Sequence, residues 1–343
     1  MKRKLLCLVL AMVMIGAIAA CAAPAPATPT APDTPAAETP AAPADPDSPL
    51  AGKRIGVAHI TVYDEWTVGV FNEFMRQGAE MGFGEINIQD GQLNAEIQQR
   101  QVEDFIAQQF DMIIIAPVSP EGILPTLQQA HDAGIPVLSF DSHPPFEHLV
   151  AHVAWDHAET GVLTANYIAD YAEANLGGSV RVGILAMLDA PHTAIRSETF
   201  KQTLEARLGV ENIEYVFEQD FGQTRESAAN IVTNNIARPM DFIWAAVDNA
   251  AFGARVALQT GGVQGTRIVS AGAWGTEPFT TLYGGDPYYM MCIGVSPEEI
   301  VRLTLEAAEK YFTGRQSEIQ LYQNIELSVI DEHNIENFMH FID

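Results

Sequence analysis

Met112-Ile113-Ile114-Ile115-Ala116-Pro117 sets five apolar residues in a row and stops at a proline. A strand with one face in water alternates apolar and polar residues, whereas a strand covered on both faces is apolar at every position. The run therefore reads as a buried strand of a parallel sheet. Similar short runs recur at Arg54–Ile60, Glu85–Gln89, Val137–Phe140, Leu149–Ala154 and Val180–Leu185, then at Glu214–Glu218, Phe242–Ala246, Arg267–Ser270, Tyr289–Ile293 and Ile325–Ile330. Helix-length segments separate most of them, which makes the class α/β.

Helix boundaries agree with this. Ser296-Pro297-Glu298-Glu299 offers a capping serine, a proline at the first helical position and a glutamate at the third. Asp156-His157-Ala158-Glu159 repeats that logic, with Gly177-Gly178 as the stop, and Gly134 ends a helix before Ile135-Pro136-Val137. About 290 residues follow position 50, more than one core usually holds, so eleven strands suit two sheets.

The N-terminus reads differently. Lys2, Arg3 and Lys4 precede an apolar run from Leu5 to Ile18 and the small residues Ala19 and Ala20, the pattern of an export signal too short to remain as a membrane span. Ile18-Ala19-Ala20-Cys21 resembles the bacterial lipobox, which implies that residues 1–20 are removed and that Cys21 is lipidated, anchoring the chain on the extracytoplasmic face of the cell membrane. Cys7 leaves with the signal, so Cys292 remains as the single thiol of the mature chain and no intrachain disulfide forms. Residues 21–50 comprise that cysteine and a linker of Ala, Pro, Thr and Asp without one aromatic residue, a composition that does not fold and that reaches on the order of 80–90 Å when extended. Loss of the three basic residues leaves 15 Lys and Arg against 44 acids, near −29, which argues against nucleic acid or anionic lipid as a partner.

Past the linker the chain resembles the type I periplasmic sugar-binding proteins, the ribose- and galactose-binding group. The residues that carry the resemblance fall in order: Lys53-Arg54-Ile55-Gly56-Val57-Ala58 with Tyr63-Asp64-Glu65-Trp66; Ile113 to Pro117; Gly134 to Val137 with Phe140-Asp141; Val153-Ala154-Trp155-Asp156 before Gly161; Arg196-Ser197-Glu198-Thr199-Phe200; and Val247-Asp248-Asn249-Ala250 with Gly253-Ala254. The resemblance implies two doubly wound, Rossmann-like parallel-sheet domains joined by a three-segment hinge near Trp155, Ser296 and Leu327. The N-terminal lobe is then 51–155 plus 297–327, and the C-terminal lobe is 156–296 plus 328–343. It also implies a monomer that closes on a small ligand, a sugar, and delivers it to the permease of an ABC transporter.

By the same resemblance, Trp66 stacks on the ligand ring while Asp64 and Asp141 accept its hydroxyl hydrogens, and Arg196 donates from the second domain. Phe221, Asp248, Asn249 and Trp274 complete the expected site, with one of Asp248 and Asn249 serving as a helix cap. Departures leave the sugar open. Gly272-Ala273-Trp274-Gly275 stands where the group carries an aspartate after the aromatic residue, and Ser142 follows Asp141 where the ribose group has arginine. A non-sugar ligand such as a nucleoside is therefore admissible.

His143, His148, His152 and His157 lie close together, but their spacing fits no standard zinc pattern. They read as surface histidines, and neither a metal nor a cofactor is expected. An enzyme is disfavoured because the chain lacks Gly-x-Gly-x-x-Gly, a phosphate loop ending in Gly-Lys-Ser/Thr, and Gly-x-Ser-x-Gly. A signal and linker occupy the place of a regulator's DNA-binding headpiece. A receptor feeding a signalling system stays open as the alternative.

Overall fold

The computed structural model describes residues 48–188 and 191–342; the export signal, Cys21 and the linker up to position 47 lie outside the described residues. In chain order the elements are β1 (Arg54–His59), α1 (Glu65–Met81), β2 (Glu85–Asp90), α2 (Ala95–Ala107), β3 (Met112–Ile115), α3 (Leu124–Asp132), β4 (Val137–Phe140) and β5 (Leu149–Ala154). They continue as α4 (His157–Asn175), β6 (Val180–Ala186), α5 (Pro191–Leu208), β7 (Ile213–Asp220), α6 (Arg225–Asn235), β8 (Phe242–Ala245), α7 (Asp248–Gly261) and β9 (Arg267–Ala273). The series closes with α8 (Thr276–Tyr283), β10 (Tyr289–Gly294), α9 (Pro297–Phe312), β11 (Tyr322–Asn324) and β12 (Ser328–Asp331).

These strands form two six-stranded sheets, ordered β11-β5-β4-β3-β1-β2 and β12-β10-β9-β8-β6-β7. All pairings are parallel except β12 with β10, which is antiparallel. Each sheet is covered on both faces, and β3 shows how the sequence arranges this. Met112 and Ile114 join one core with Phe74 of α1 and Ile300 of α9, while Ile113 and Ile115 join the opposite core with Phe105 of α2 and Leu127 of α3. The second sheet is flanked likewise by α4 and α5 on one face and by α6 and α7 on the other.

The chain passes between the sheets at Trp155-Asp156, Val295-Ser296 and Ile325-Glu326-Leu327. Two crossings end in helix caps of the expected kind: the Asp156 carboxylate accepts from the N–H groups of Ala158 and Glu159, and Ser296 Oγ from that of Glu299. The third corrects the expectation of a single strand over Ile325–Ile330. Tyr322–Asn324 pairs with β5 in the first sheet and Ser328–Asp331 with β10 in the second, because the backbone between them must change sheets. No helix among the described residues is long and apolar enough to cross a membrane.

Candidate functional site

Both sheets follow a doubly wound order that reverses beside their first strands, β1 and β6. Loops beyond the carboxyl ends of the strands are where such sheets place ligands. Ile60 and Thr61 after β1, Asp141 after β4, Met187 after β6, and Val247 and Asp248 after β8 all line one cavity of about 160 Å³ between the sheets. One water needs roughly 10–15 Å³, so this space holds a small molecule.

Of the eight residues expected to meet a ligand, seven line this cavity: Asp64, Trp66, Asp141, Arg196, Phe221, Asp248 and Asn249. Trp274 does not. Its ring packs at 5.1 Å from Phe279 and 4.8 Å from Phe341 in the second lobe's core, and Gly272 and Ala273 face the cavity in its place. Trp274 lies just past the end of β9, which closes at Ala273, and its ring turns onto Phe279 of α8.

Asp64 has a structural task as well. Its Oδ1 accepts from the backbone N–H of Thr67 at 2.8 Å, and Thr67 Oγ1 accepts from the backbone N–H of Asp64, a reciprocal cap that starts α1. Trp66 spans the lobes: its Nε1 donates to the Val295 carbonyl at 3.0 Å and its ring meets Trp155 edge-on at 5.4 Å. At the other wall, Val247 is the N-cap of α7 and makes no side-chain cap bond. Neither Asp248 nor Asn249 is therefore the cap residue, and both sit inside the helix's first turn, with Asn249 Oδ1 accepting from Arg225 Nε at 3.0 Å.

Arg196 on α5 is buried, and burial pulls its guanidinium down to about 10, with Asp141 and Asp248 opposing. Nη1 donates to the Ala246 carbonyl at 2.9 Å, while Nε and Nη2 donate to His157 Nδ1 at 3.2 and 2.9 Å. A guanidinium only donates, so Nδ1 must present its lone pair and the neutral imidazole carries its proton on Nε2. That nitrogen lies 3.9 Å from Asp141 Oδ1. Burial, then Arg196, holds His157 well below the usual histidine range. Burial also pushes Asp141 and Asp248 up to about 7 each, and Asp64 adds repulsion to both.

His157 corrects the surface reading of the histidine group. It is the first residue of α4, buried against Trp155 at 4.5 Å, and His152 is buried on β5 with Nδ1 2.9 Å from Ser139 Oγ. His143 and His148 are exposed as expected. Among the described residues no group of three or more His, Cys, Asp or Glu side chains could hold a metal ion. Trp155, Met187, His192 and Thr193 also line the cavity and were not foreseen as site residues. Trp155 stood in the sequence as an expected crossing rather than a ligand contact, and no reading of the sequence singled out Met187, His192 or Thr193.

A model of the periplasmic binding protein domain matches residues 55–316, a span that includes every element from β1 to α9. The chain belongs to the periplasmic binding protein family. Within it, the chain is 26% identical to the putative rhizopine-binding protein of Rhizobium meliloti over 231 residues, covering 64% of this chain and 72% of that protein. It is 23% identical to the ribose import binding protein of Escherichia coli over 282 residues, 82% of this chain and 92% of that one. The periplasmic binding protein component of the arabinose ABC transporter from Shewanella sp. ANA-3 superposes with a TM-score of 0.76 at 21% identity, covering 84% of this chain and 95% of its own. That family member has the same two-lobed fold.

Proposed function

We propose that this family member is an exported lipoprotein that captures a small polar ligand, a sugar or related polyol, between its lobes and delivers it to an ABC transporter permease without chemically altering it. The observation that carries this reading is the cavity wall itself. Carboxylates of Asp64 and Asp141 from one lobe face Arg196 and Asp248 of the other, with the rings of Trp66, Trp155 and Phe221 between them. Hydroxyl-rich rings require such a mixture, with charged acceptors for O–H groups and aromatic faces for C–H surfaces. Contact with both lobes also couples binding to closure, because a ligand shifts the hinge equilibrium only through its greater affinity for the closed state. The likeness to the ribose import binding protein of Escherichia coli supports the same class.

Lipid attachment at Cys21 is part of the proposal and rests on Ile18-Ala19-Ala20-Cys21. The expected outcome of Cys21→Ser is loss of lipid labelling and release from membranes. Unchanged membrane association would overturn it. For ligand capture, a thermal-shift screen of sugars, polyols and nucleosides should raise the melting temperature with at least one sugar or polyol, since a ligand that binds only the folded state stabilises it. The scattering radius of gyration should fall with that ligand. A response to nucleosides alone would overturn the sugar reading.

A further inference from the structure

Resting on the sugar-capture reading, we propose that the ligand carries a methyl group on an otherwise hydroxylated ring, as a deoxy sugar or an O-methylated cyclic polyol does, and that Leu93 reads it at the outer end of the cleft. The crossings between the sheets follow β5, β10 and β11, toward one end of both strand orders, whereas β1 with β2 and β6 with β7 stand at the other. Ile60 and Leu93, after β1 and β2, and Met187 and Phe221, after β6 and β7, therefore line the cavity on the side away from the crossings. Backbone bonds hold each group together: Leu93 N–H donates to the Ile60 carbonyl at 3.1 Å, and Phe221 N–H to the Ala186 carbonyl at 3.0 Å. Asp141 and Asp248 follow β4 and β8, nearer the crossings.

The backbone at Leu93 singles it out. Among the described residues five other than glycine have positive φ, and three of these line the cavity: Leu93 at 52°, Asp141 at 58° and Gln223 at 65°. Left-handed backbone disfavours any residue with a Cβ, and aspartate and asparagine least. The turn is fixed without help from the Leu93 side chain, because Gln92 N–H donates to Asp90 Oδ1 at 2.8 Å, Asn94 N–H donates to the Gly91 carbonyl at 2.9 Å, and Asn94 Oδ1 caps α2. Whatever residue stands at 93 takes this conformation. A leucine there neither relieves the strain nor fills a core, since it is 45% exposed and belongs to none of the hydrophobic cores of the described residues. Strain kept at a cavity wall points to a use for the side chain in that wall.

A hydroxyl lodged among Ile60, Leu93, Met187 and Phe221 gives up water and finds no acceptor on their side chains. A methyl group in the same place buries apolar surface, and one such group in an apolar pocket is worth roughly 10–200-fold in discrimination. The remaining ring hydroxyls face the carboxylates further in.

The test is calorimetry on the full chain with matched pairs: L-fucose and L-galactose, L-rhamnose and L-mannose, D-pinitol and D-chiro-inositol. The first two pairs examine a deoxy sugar and the third an O-methylated polyol. In at least one pair the methyl-bearing member is expected to bind about tenfold or more tightly than its partner. Leu93→Asn suits the left-handed turn, so the melting temperature without ligand should hold or rise while that ratio falls toward one. Met187→Gln should lower the same ratio from the opposite lobe. Hydroxylated members binding as tightly as their methylated partners in every pair, or a ratio unmoved by Leu93→Asn, would overturn the methyl inference and leave sugar capture standing. Binding by no member of any pair would also overturn it, and sugar capture would then be decided by the thermal-shift screen.

Discussion

The carboxylate of Glu65, the first residue of α1 in one lobe, accepts the backbone N–H of Glu277 in α8 of the other at 3.0 Å. Helix α8 has no side-chain cap of its own, and its N-cap is Gly275 at φ 123. A Cβ there would overlap Glu65 Oε2, so glycine serves both the backbone angle and the close approach. Glu65 thus caps a helix across the cleft, and its charge suits the positive end of that helix.

Glu65→Ala should therefore shift the unliganded protein toward an open cleft. The expected result is a larger radius of gyration without ligand and an affinity weakened about three- to tenfold, in line with the roughly 0.5–1.5 kcal/mol typical of one hydrogen bond. Glu65→Gln, which keeps an acceptor, should retain most of the closure. Identical scattering curves for wild type and Glu65→Ala would sink the idea.

A second contact of this kind positions Arg196. Gly161 lets α4 approach α5 so closely that an added Cβ would meet the Arg196 carbonyl and Thr199 Oγ1, while Thr199 Oγ1 donates to the Ala158 carbonyl at 2.8 Å. Gly161→Ala should cost about 1–3 kcal/mol of stability through overpacking. It should also weaken the ligand, because the helix it displaces carries the guanidinium. Denaturant melts that match the wild type would refute this.

Asp141 gives a pH dependence whose sign is fixed. Its carboxyl rises from an ordinary value near 4 to about 7 in the folded protein, so the native state holds a proton that the unfolded chain has lost. The stability that comes from keeping this carboxyl neutral is present below about pH 4 and is lost as pH rises to about 7. His59 and His152, lowered to about 4 and about 3 by burial, act in the opposite direction: their contribution is present above pH 6.5 and is lost as pH falls through their folded values. Asp141→Asn removes only the first effect. The melting temperature of the variant relative to wild type should therefore climb between pH 4.5 and pH 8, and a difference independent of pH would contradict the burial of this carboxyl.

Trp66→Phe keeps the aromatic body but removes the N–H that reaches the Val295 carbonyl. A loss of about 1 kcal/mol is expected, since the carbonyl at this crossing loses its donor. The ligand-induced change in tryptophan fluorescence should shrink as well. An unaltered fluorescence response would mean that Trp66 does not report on the cleft.

Much of this was legible in the sequence for local reasons. Met112 to Ile115 could be read as a doubly buried strand because the run is apolar throughout, short and closed by a proline, and Asp156 and Ser296 advertised helix starts that the backbone uses. The misreadings share a different cause. Ile325–Ile330 alternates like a single strand, although residues 325–327 cross between the sheets and the strands on either side pair with different sheets, and pattern does not record partner. Trp274 was assigned by likeness to an aromatic position, but it lies past the end of β9 and its ring packs against Phe279. His157 looked like a surface histidine in a helix cap. Its burial depends on Asp141 and Arg196 arriving from two other parts of the chain to join the neighbouring Trp155, which no local pattern shows.

Helix α9 and strand β11 belong to the first sheet's layers yet come after the whole run from α4 to β10. Ile300, Val301, Leu305 and Ala308 of α9 fill the same core as Val70 and Phe74 of α1. A chain made from its N-terminus therefore supplies the second lobe's strands β6 to β10 in one uninterrupted stretch, while the first lobe's core stays short of a wall until α9 arrives. Translation order and assembly order part company: the lobe begun first waits for most of the second to be made, and β12 returns to the second sheet only at the chain's end. The apolar faces of α1 and β4 must be shielded from other chains in the interval, which makes the nascent chain the form most exposed to aggregation.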